Sequence, residues 1–149
     1  MASEILNNVK AAMKDAMRAK EKERLATIRL IQADFKRVEV DERIELDDDR
    51  VIAILDKMVK QRRDSVRQYQ EAGRDELAAI ELAEIDVIQT FLPTPLTASE
   101  ISAMIDAAIA ETGAESMRDM GKVVGLLKGP MQGRADMAVV SKLVKDRLS

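Results

Sequence analysis

Apolar side chains recur every three or four residues along most of this chain, and this spacing constrains its fold more than any other feature. The spacing places the apolar residues on one face of an α-helix. Aromatic residues are nearly missing, with two Phe, one Tyr and no Trp in 149 residues, and strong helix formers dominate. The pattern therefore predicts an all-α protein.

The first 92 residues are predicted to form an N-terminal subdomain of four helices. Ser3 and the run Asp47-Asp48-Asp49 stand where a helix N-terminus favours a cap and negative charge. Gly73 is a natural stop, because glycine adopts the left-handed conformation that ends many helices. The first predicted helix begins at about Ser3 and has its last apolar position at Met17; the others lie at about 22–38, 47–73 and 75–91, with an acidic connection between the second and third.

The tripeptide Pro93-Thr94-Pro95 predicts a linker at 93–96, because two prolines so close cannot continue a helix. Beyond it, Thr97 and Glu100 form a capping box, with Thr97 as the cap and Glu100 at the third helical position. The remaining residues, 97–149, are predicted to form a smaller three-helix subdomain. Its helices are expected at about 97–112, 116–128 and 136–148, the last capped by Asp136.

The residue types that are missing restrict the chemistry. Without Cys or His the chain has no thiol nucleophile, no imidazole base and no common zinc site. Neither a P-loop nor a dinucleotide-binding glycine motif occurs, so no nucleotide, metal or other cofactor is expected, and no catalytic residues are assigned. An enzyme acting on its own is therefore disfavoured.

The sequence gives no sign of a membrane or secretory protein. No apolar run approaches the roughly 20 residues that span a bilayer, and the N-terminus lacks a signal pattern. The absence of Cys suits a reducing compartment. These features predict a cytoplasmic protein.

Charge is segregated along the chain. Residues 57–74 carry six basic and two acidic side chains, and residues 121–149 also carry six and two, although the whole chain has a net charge of −3. Basic surfaces of this kind can follow a phosphate backbone. The nucleic-acid-binding candidates are Lys60, Arg63, Arg67, Arg74, Lys122, Lys128, Arg134, Lys142 and Lys145.

Each of these features also has a purely structural interpretation. Mixed charges keep any exposed helix face soluble, and Arg62 on the apolar stripe of the third helix could form a partly buried pair with Glu81 or Glu84. Gly121 could permit close helix packing, and Gly133 could supply an unusual φ near Pro130. Arg134 could pair with Asp136 or reach a phosphate. The sequence leaves both interpretations open.

Several short motifs follow one another in a fixed order and spacing. They are Lys57-x-x-Lys60-Gln61-Arg62-Arg63-Asp64-Ser65, Tyr69, Ala72-Gly73-Arg74, Glu81-x-x-Glu84, Phe91-Leu92-Pro93, Met120-Gly121-Lys122-Val123, Gly133-Arg134-Ala135-Asp136 and Val140-Ser141-x-x-Val144-Lys145. Taken together, these motifs resemble the GatB/YqeY family. The resemblance covers essentially the whole chain, is closest to the stand-alone YqeY-like branch, and is most specific from Lys57 onward.

The resemblance implies two helical subdomains and a link to tRNA. In the glutamyl/aspartyl-tRNA amidotransferase the related tail of the B subunit contacts tRNA, whereas the chemistry lies in other domains and subunits. Family similarity also implies the label of a carbon–nitrogen ligase with glutamine as amido donor, but this chain lacks the catalytic cradle and the amidase partner.

Two functions are therefore expected in order of preference. The first is a non-catalytic module that interacts with tRNA, as an accessory to tRNA-linked amidation or translation. The second is an adaptor whose mixed-charge faces dock a larger protein, which the acidic overall balance favours.

Overall fold

A computed structural model describes residues 3–149 of the chain. These residues form seven α-helices and one short 3₁₀-helix and contain no strand, which confirms the all-α prediction. The helices are α1 (Glu4–Ala19), α2 (Lys22–Glu42), α3 (Asp48–Glu71), α4 (Asp75–Gln89), α5 (Ala98–Thr112), α6 (Met120–Met131) and α7 (Met137–Leu148), and the 3₁₀-helix is Met117–Asp119.

The contacts divide the chain into two compact units, Met1–Leu92 and Pro93–Ser149. Each has its own apolar core. The four-helix and three-helix subdomains and the linker at 93–96 stay predictions.

In the N-terminal unit α3 packs mainly against α4, and α2 contacts α1, α3 and α4. The turn between α3 and α4 contains Gly73, whose φ of 71° is in the left-handed region that glycine adopts without strain. The buried apolar residues of this unit are Val9, Ala16, Ile28, Ile31, Phe35, Leu46, Val51, Leu55, Met58, Val59, Val66, Ala78, Ile85 and Ile88.

In the C-terminal unit α6 packs against both α5 and α7. The predicted capping box is present, since Thr97 Oγ1 accepts from the Glu100 amide at 3.1 Å and Glu100 Oε1 accepts from the Thr97 amide at 3.1 Å. The buried apolar residues of this unit are Ile105, Ala108, Val123, Leu127, Met131, Val140, Val144 and Leu148.

Two predicted helices have wrong bounds, one at its end and the other at both ends. The helix α2 continues to Glu42 instead of ending near Val38, because the acidic residues expected to form a loop favour helix, and Leu46 anchors the connection in the core. The helix α6 begins at Met120, after the 3₁₀ turn, and continues through Pro130 to Met131. Pro130 has no amide to donate to the carbonyl four residues earlier, so it weakens the last turn of α6, and the helix ends one residue later.

Candidate nucleic-acid interface

The four candidates at and after α3 lie among acidic neighbours. Arg67 Nη2 is 3.2 Å from Asp64 Oδ1, and both side chains are exposed. Arg74 Nε donates to Glu76 Oε1 at 2.7 Å, also at the surface. Exposed pairs of this kind contribute about 0–1 kcal/mol to stability, but they do reduce the positive charge offered to a phosphate.

The other two candidates of α3 differ in exposure. Lys60 is exposed, whereas Arg63 is only partly exposed and takes part in an interaction of its own. Residues 57, 60, 64, 67 and 71 follow the helical spacing of a single outward face that mixes both signs of charge. The structure thus favours the solvated-face interpretation for α3.

The candidates on α6 have a different setting. Lys122 and Lys128 are exposed and α6 itself contains no acidic residue, although the carboxylate of Asp119 just before the helix interacts with the charge of Lys122. They flank a row of glycines on the side of α6 that faces away from the buried Val123 and Leu127. This outward face of α6 is therefore positive and nearly without side chains.

The row of glycines is the feature that sequence reasoning missed. Gly121, Gly125 and Gly129 follow one another at a spacing of four, which stacks them on one face of a helix. A Cβ built at any of the three has no atom within 4 Å. The interpretation that Gly121 permits close helix packing was wrong, because among residues 3–149 no atom of another helix comes within 4 Å of the position its Cβ would take. The spacing of four was the signal that could have revealed the row.

The two lysines of α7 are also exposed. Lys142 and Lys145 lie on the side of the helix away from the buried Val140 and Val144. Arg147, which the sequence analysis did not assign, is used within the unit: its guanidinium donates to the Ser102 carbonyl at 3.1 Å and pairs with Asp106 of α5. The exposed lysines 122, 128, 142 and 145 are called the α6–α7 lysines below.

Arg134 has a structural position that the sequence did not reveal. Its Nε donates to the Thr94 carbonyl at 2.9 Å, and its own carbonyl accepts from the Leu96 amide at 2.9 Å. These two bonds tie the proline-containing segment to the turn before α7.

Asp136 caps α7 as predicted, with Oδ1 accepting from the Ala138 amide at 3.0 Å, and Gly133 has the expected positive φ of 76°.

A cluster of three charged residues joins α3 to α4. Arg62 Nε donates to Glu84 Oε2 at 3.0 Å, and Arg62 Nη1 donates to the Met58 carbonyl at 3.2 Å. The side chains of Arg62 and Glu84 are 15% and 22% exposed, so the predicted partly buried pair is confirmed. Burial, followed by the nearby charge of Glu84, raises the pKa of Glu81 above its usual value.

No helix formed by residues 3–149 combines the length and apolar character that crossing a membrane requires. Comparison with known proteins gives a match to one family: its model, described as Yqey-like protein, covers residues 6–148.

Curated relatives come from fungi and share the name "Altered inheritance of mitochondria protein 41, mitochondrial". The protein of Pyrenophora tritici-repentis is 32% identical over 146 residues, which are 95% of this chain and 80% of that protein. The protein of Lachancea thermotolerans is 30% identical, over 89% of this chain and 75% of its own length. The protein of Clavispora lusitaniae is 36% identical, over 64% of this chain and 56% of its own length.

These names contradict the prediction of a cytoplasmic location, since each relative is named as a mitochondrial protein. The prediction rested on the absence of Cys and of a signal pattern. Neither feature distinguishes the cytoplasm from other reducing compartments, so the inference was too narrow.

Proposed function

The chain belongs to the YqeY-like family, and from this premise we propose that it is a non-catalytic helical module that binds tRNA as an accessory to tRNA-linked amidation or translation. The observation that carries the proposal is the outward face of α6, where exposed lysines flank three exposed glycines. The proposal includes the organisation into a four-helix and a three-helix subdomain, with the tRNA-binding face on the second.

Electrostatics support a phosphate ligand for this face. The helices α6 and α7 carry Lys122, Lys128, Lys142 and Lys145 against a single acid, and Arg147 is already paired with Asp106 of α5. Lysines that neutralise phosphates release condensed counterions, and this release drives binding at low salt. The α6–α7 lysines are therefore the contacts that we expect to dominate affinity.

The glycines support close approach. Each glycine within a helix lowers stability by about 0.5–1 kcal/mol relative to alanine, and no packing contact in the unit requires the glycines at 121, 125 and 129. A helix face without Cβ atoms lets a nucleic-acid backbone lie directly against it, between the flanking lysines. Because packing does not explain these destabilising glycines, contact with a ligand is the explanation that we propose.

The C-terminal unit offers no aromatic platform, because all three aromatic residues precede residue 93. Base stacking of the kind that single-strand binders use is therefore not part of the proposal. Recognition through backbone and shape is the mode open to such a surface, and folded RNA is its natural ligand.

A second candidate function is an adaptor that docks a larger protein. The exposed apolar side of α4 favours it, with Ile80 58% exposed. An autonomous amidotransferase is not proposed; glutamine-dependent turnover by the purified chain alone would overturn the non-catalytic assignment.

The test is tRNA binding by the full chain at ~50 and ~200 mM salt, measured by fluorescence anisotropy. The variant Lys122→Glu/Lys142→Glu/Lys145→Glu should lose most of the affinity and give a shallower salt dependence, by about one unit of log–log slope for each lysine removed. Arg134 is left unchanged because its side chain holds Thr94.

The matched control is Lys10→Glu/Lys14→Glu/Arg18→Glu on α1, which makes the same charge change on three exposed residues outside the candidate set. This control should keep most of the affinity. Equal loss in both variants would reduce the binding to an effect of net charge, and undetectable binding of the unaltered chain at ~50 mM salt would reject the proposal.

A further inference from the structure

The helix α4 is apolar on two opposite sides, although only one of them is covered. Ala78, Ile85 and Ile88 are buried in the core. Ala79, Ile80, Ala83 and Val87 form a second row on the other side, where Ile80 is 58% exposed. Of this second row only Val87 packs against the core, whereas Ala79, Ile80 and Ala83 are exposed.

This row forms one wall of an open groove of about 850 Å³, called the α2–α4 groove below. Its other wall is the first part of α2, including Ala26 and Thr27. Thr27 is the buried polar side chain of the lining, and its hydroxyl donates to the Glu23 carbonyl at 3.2 Å. The walls therefore present no free buried polar group that could orient a small polar ligand, as specific small-molecule sites do.

The end of the groove at the turn between α1 and α2 has an excess of one positive charge, since three cations line it against two carboxylates. Lys20, Lys22 and Arg24 line it, together with the carboxylates of Glu21 and Glu23. Glu21 stands at the N-cap of α2 but makes no side-chain bond to the first turn. The amides of that turn and the positive end of the helix dipole add to the three cations.

The remaining acidic residue of the lining does not offset this charge. Glu84 is engaged by Arg62 at 3.0 Å, so its carboxylate is already paired. The groove thus combines an apolar length with one positively charged end, a combination that matches an amphipathic helix carrying acidic residues at the corresponding end.

We propose that the α2–α4 groove binds an amphipathic helix of a partner protein, with the apolar face of that helix against α4 and its acidic side chains at the α1–α2 turn. The proposal concerns a surface of the N-terminal unit separate from the tRNA-binding face and needs no RNA, and it deepens the adaptor candidate by naming its site and the chemistry of its partner. The apolar walls give affinity, and the charged end fixes the direction of the bound helix.

The first step of the test replaces Ala83 with the photo-crosslinking residue p-benzoylphenylalanine in the full chain, expressed in cells. Ala107 on α5, an exposed alanine outside the groove, carries the same residue as the matched control. Sequencing of the crosslinked peptide from the Ala83 sample identifies the segment that occupies the groove. A synthetic peptide of that segment is then titrated against the purified chain.

The expected segment is an amphipathic helix with acidic residues near one end. Its affinity should fall about tenfold or more with Ala83→Glu, because the new carboxylate loses water against an apolar face. It should fall about threefold with Lys22→Glu, as is usual for a charge at the rim, and should recover when the acidic residues of the peptide are changed to lysine. The variant Ala107→Glu should bind normally.

Four outcomes would overturn the proposal. They are a crosslink to a second copy of this chain, a crosslink to RNA, a crosslinked segment that is basic or not helical, and no crosslink above the Ala107 control. A peptide that binds Ala83→Glu as tightly as the unaltered chain would also exclude the groove as its site. Affinity of Ala83→Glu for tRNA should be unchanged, which separates this proposal from the proposed function.

Discussion

Arg62 of α3 and Glu84 of α4 form a partly buried ion pair between the two helices. Both side chains are largely shielded from water, and Arg62 also donates to a backbone carbonyl. Replacing Glu84 with glutamine removes the negative charge and leaves the guanidinium short of its partner. We expect the free energy of unfolding to fall by roughly 1–3 kcal/mol, measured by urea denaturation.

A double-mutant cycle separates this pair from general effects of charge. The variant Arg62→Met alone, and the double variant with Glu84→Gln, complete the cycle. The matched control is Asp64→Asn, whose pair with Arg67 is exposed and should change stability by less than about 1 kcal/mol. Strict additivity of the two changes at Arg62 and Glu84 would contradict a direct interaction.

Glu81, three residues before Glu84, predicts a pH dependence of stability. Burial and the charge of Glu84 raise its pKa in the folded chain, so the folded state holds this proton more tightly than the unfolded state does. The resulting stabilisation is complete below the unfolded pKa and is lost as the pH rises through the folded pKa. Above the folded pKa, the charged carboxylate is a cost to the folded state.

Replacing Glu81 with glutamine removes this cost. We expect the variant to unfold at a higher temperature than the unaltered chain at pH 7, with the difference shrinking as the pH falls towards 4. Thermal melts followed by circular dichroism across this range give the measurement. A variant less stable than the unaltered chain at pH 7 would show that Glu81 accepts a stabilising interaction instead.

At the scale of the helix, replacing a glycine of α6 should have opposite effects on the stability of the protein and on its proposed affinity for tRNA. Because a Cβ at Gly125 would touch nothing, Gly125→Ala should raise the free energy of unfolding by about 0.4–1 kcal/mol, through lower entropy of the unfolded chain. The same change should weaken tRNA binding, since a methyl group would then stand between the helix and the phosphate backbone. Denaturation and anisotropy measure the two effects.

The glycine that ends α5 gives the matched control. Gly113 has a φ of 67°, which strains an alanine, so Gly113→Ala should destabilise the unit by roughly 1 kcal/mol and leave the affinity of the folded protein unchanged. Stabilisation by Gly125→Ala with no loss of affinity would show that the glycine row does not contact RNA.

At the scale of the whole chain, two separate cores predict two folding units. The N-terminal unit contains the larger core and the charged cluster, so we expect a fragment ending at Leu92 to unfold cooperatively in urea with a helical spectrum. The fragment from Pro93 onward buries less surface and should be less stable, as small domains generally are. A fragment 1–92 without a cooperative transition would contradict the predicted subdomains.

Local sequence signals predicted most of the elements correctly. Ser3, Asp47, Thr97 and Asp136 cap the helices that they were expected to cap, because a cap depends on residues only two or three positions away. Signals failed where distant contacts decide. Leu46, buried at 2% exposure, lies in the connection that the sequence presented as merely polar.

The candidate interface was predictable only as a set of charges. Its nine basic residues follow from the sequence, but their partners do not: Arg67 and Arg74 meet carboxylates and Arg134 meets a backbone carbonyl, whereas the α6–α7 lysines stay exposed. The two ion pairs near α3 join residues that are close in sequence. An exposed arginine can nevertheless adopt many rotamers of similar energy, so the sequence does not predict which carboxylate it meets.

The sequence by itself determined the helices, their caps and the segregation of charge, because these depend on the period of the helix and on neighbouring residues. Only the tertiary structure decided which helix faces are not covered by packing. In that structure the glycine row of α6 is uncovered, and the second apolar row of α4 is largely open to solvent. Which faces of a helix are covered depends on contacts with residues tens of positions away, and the local sequence pattern does not predict those contacts.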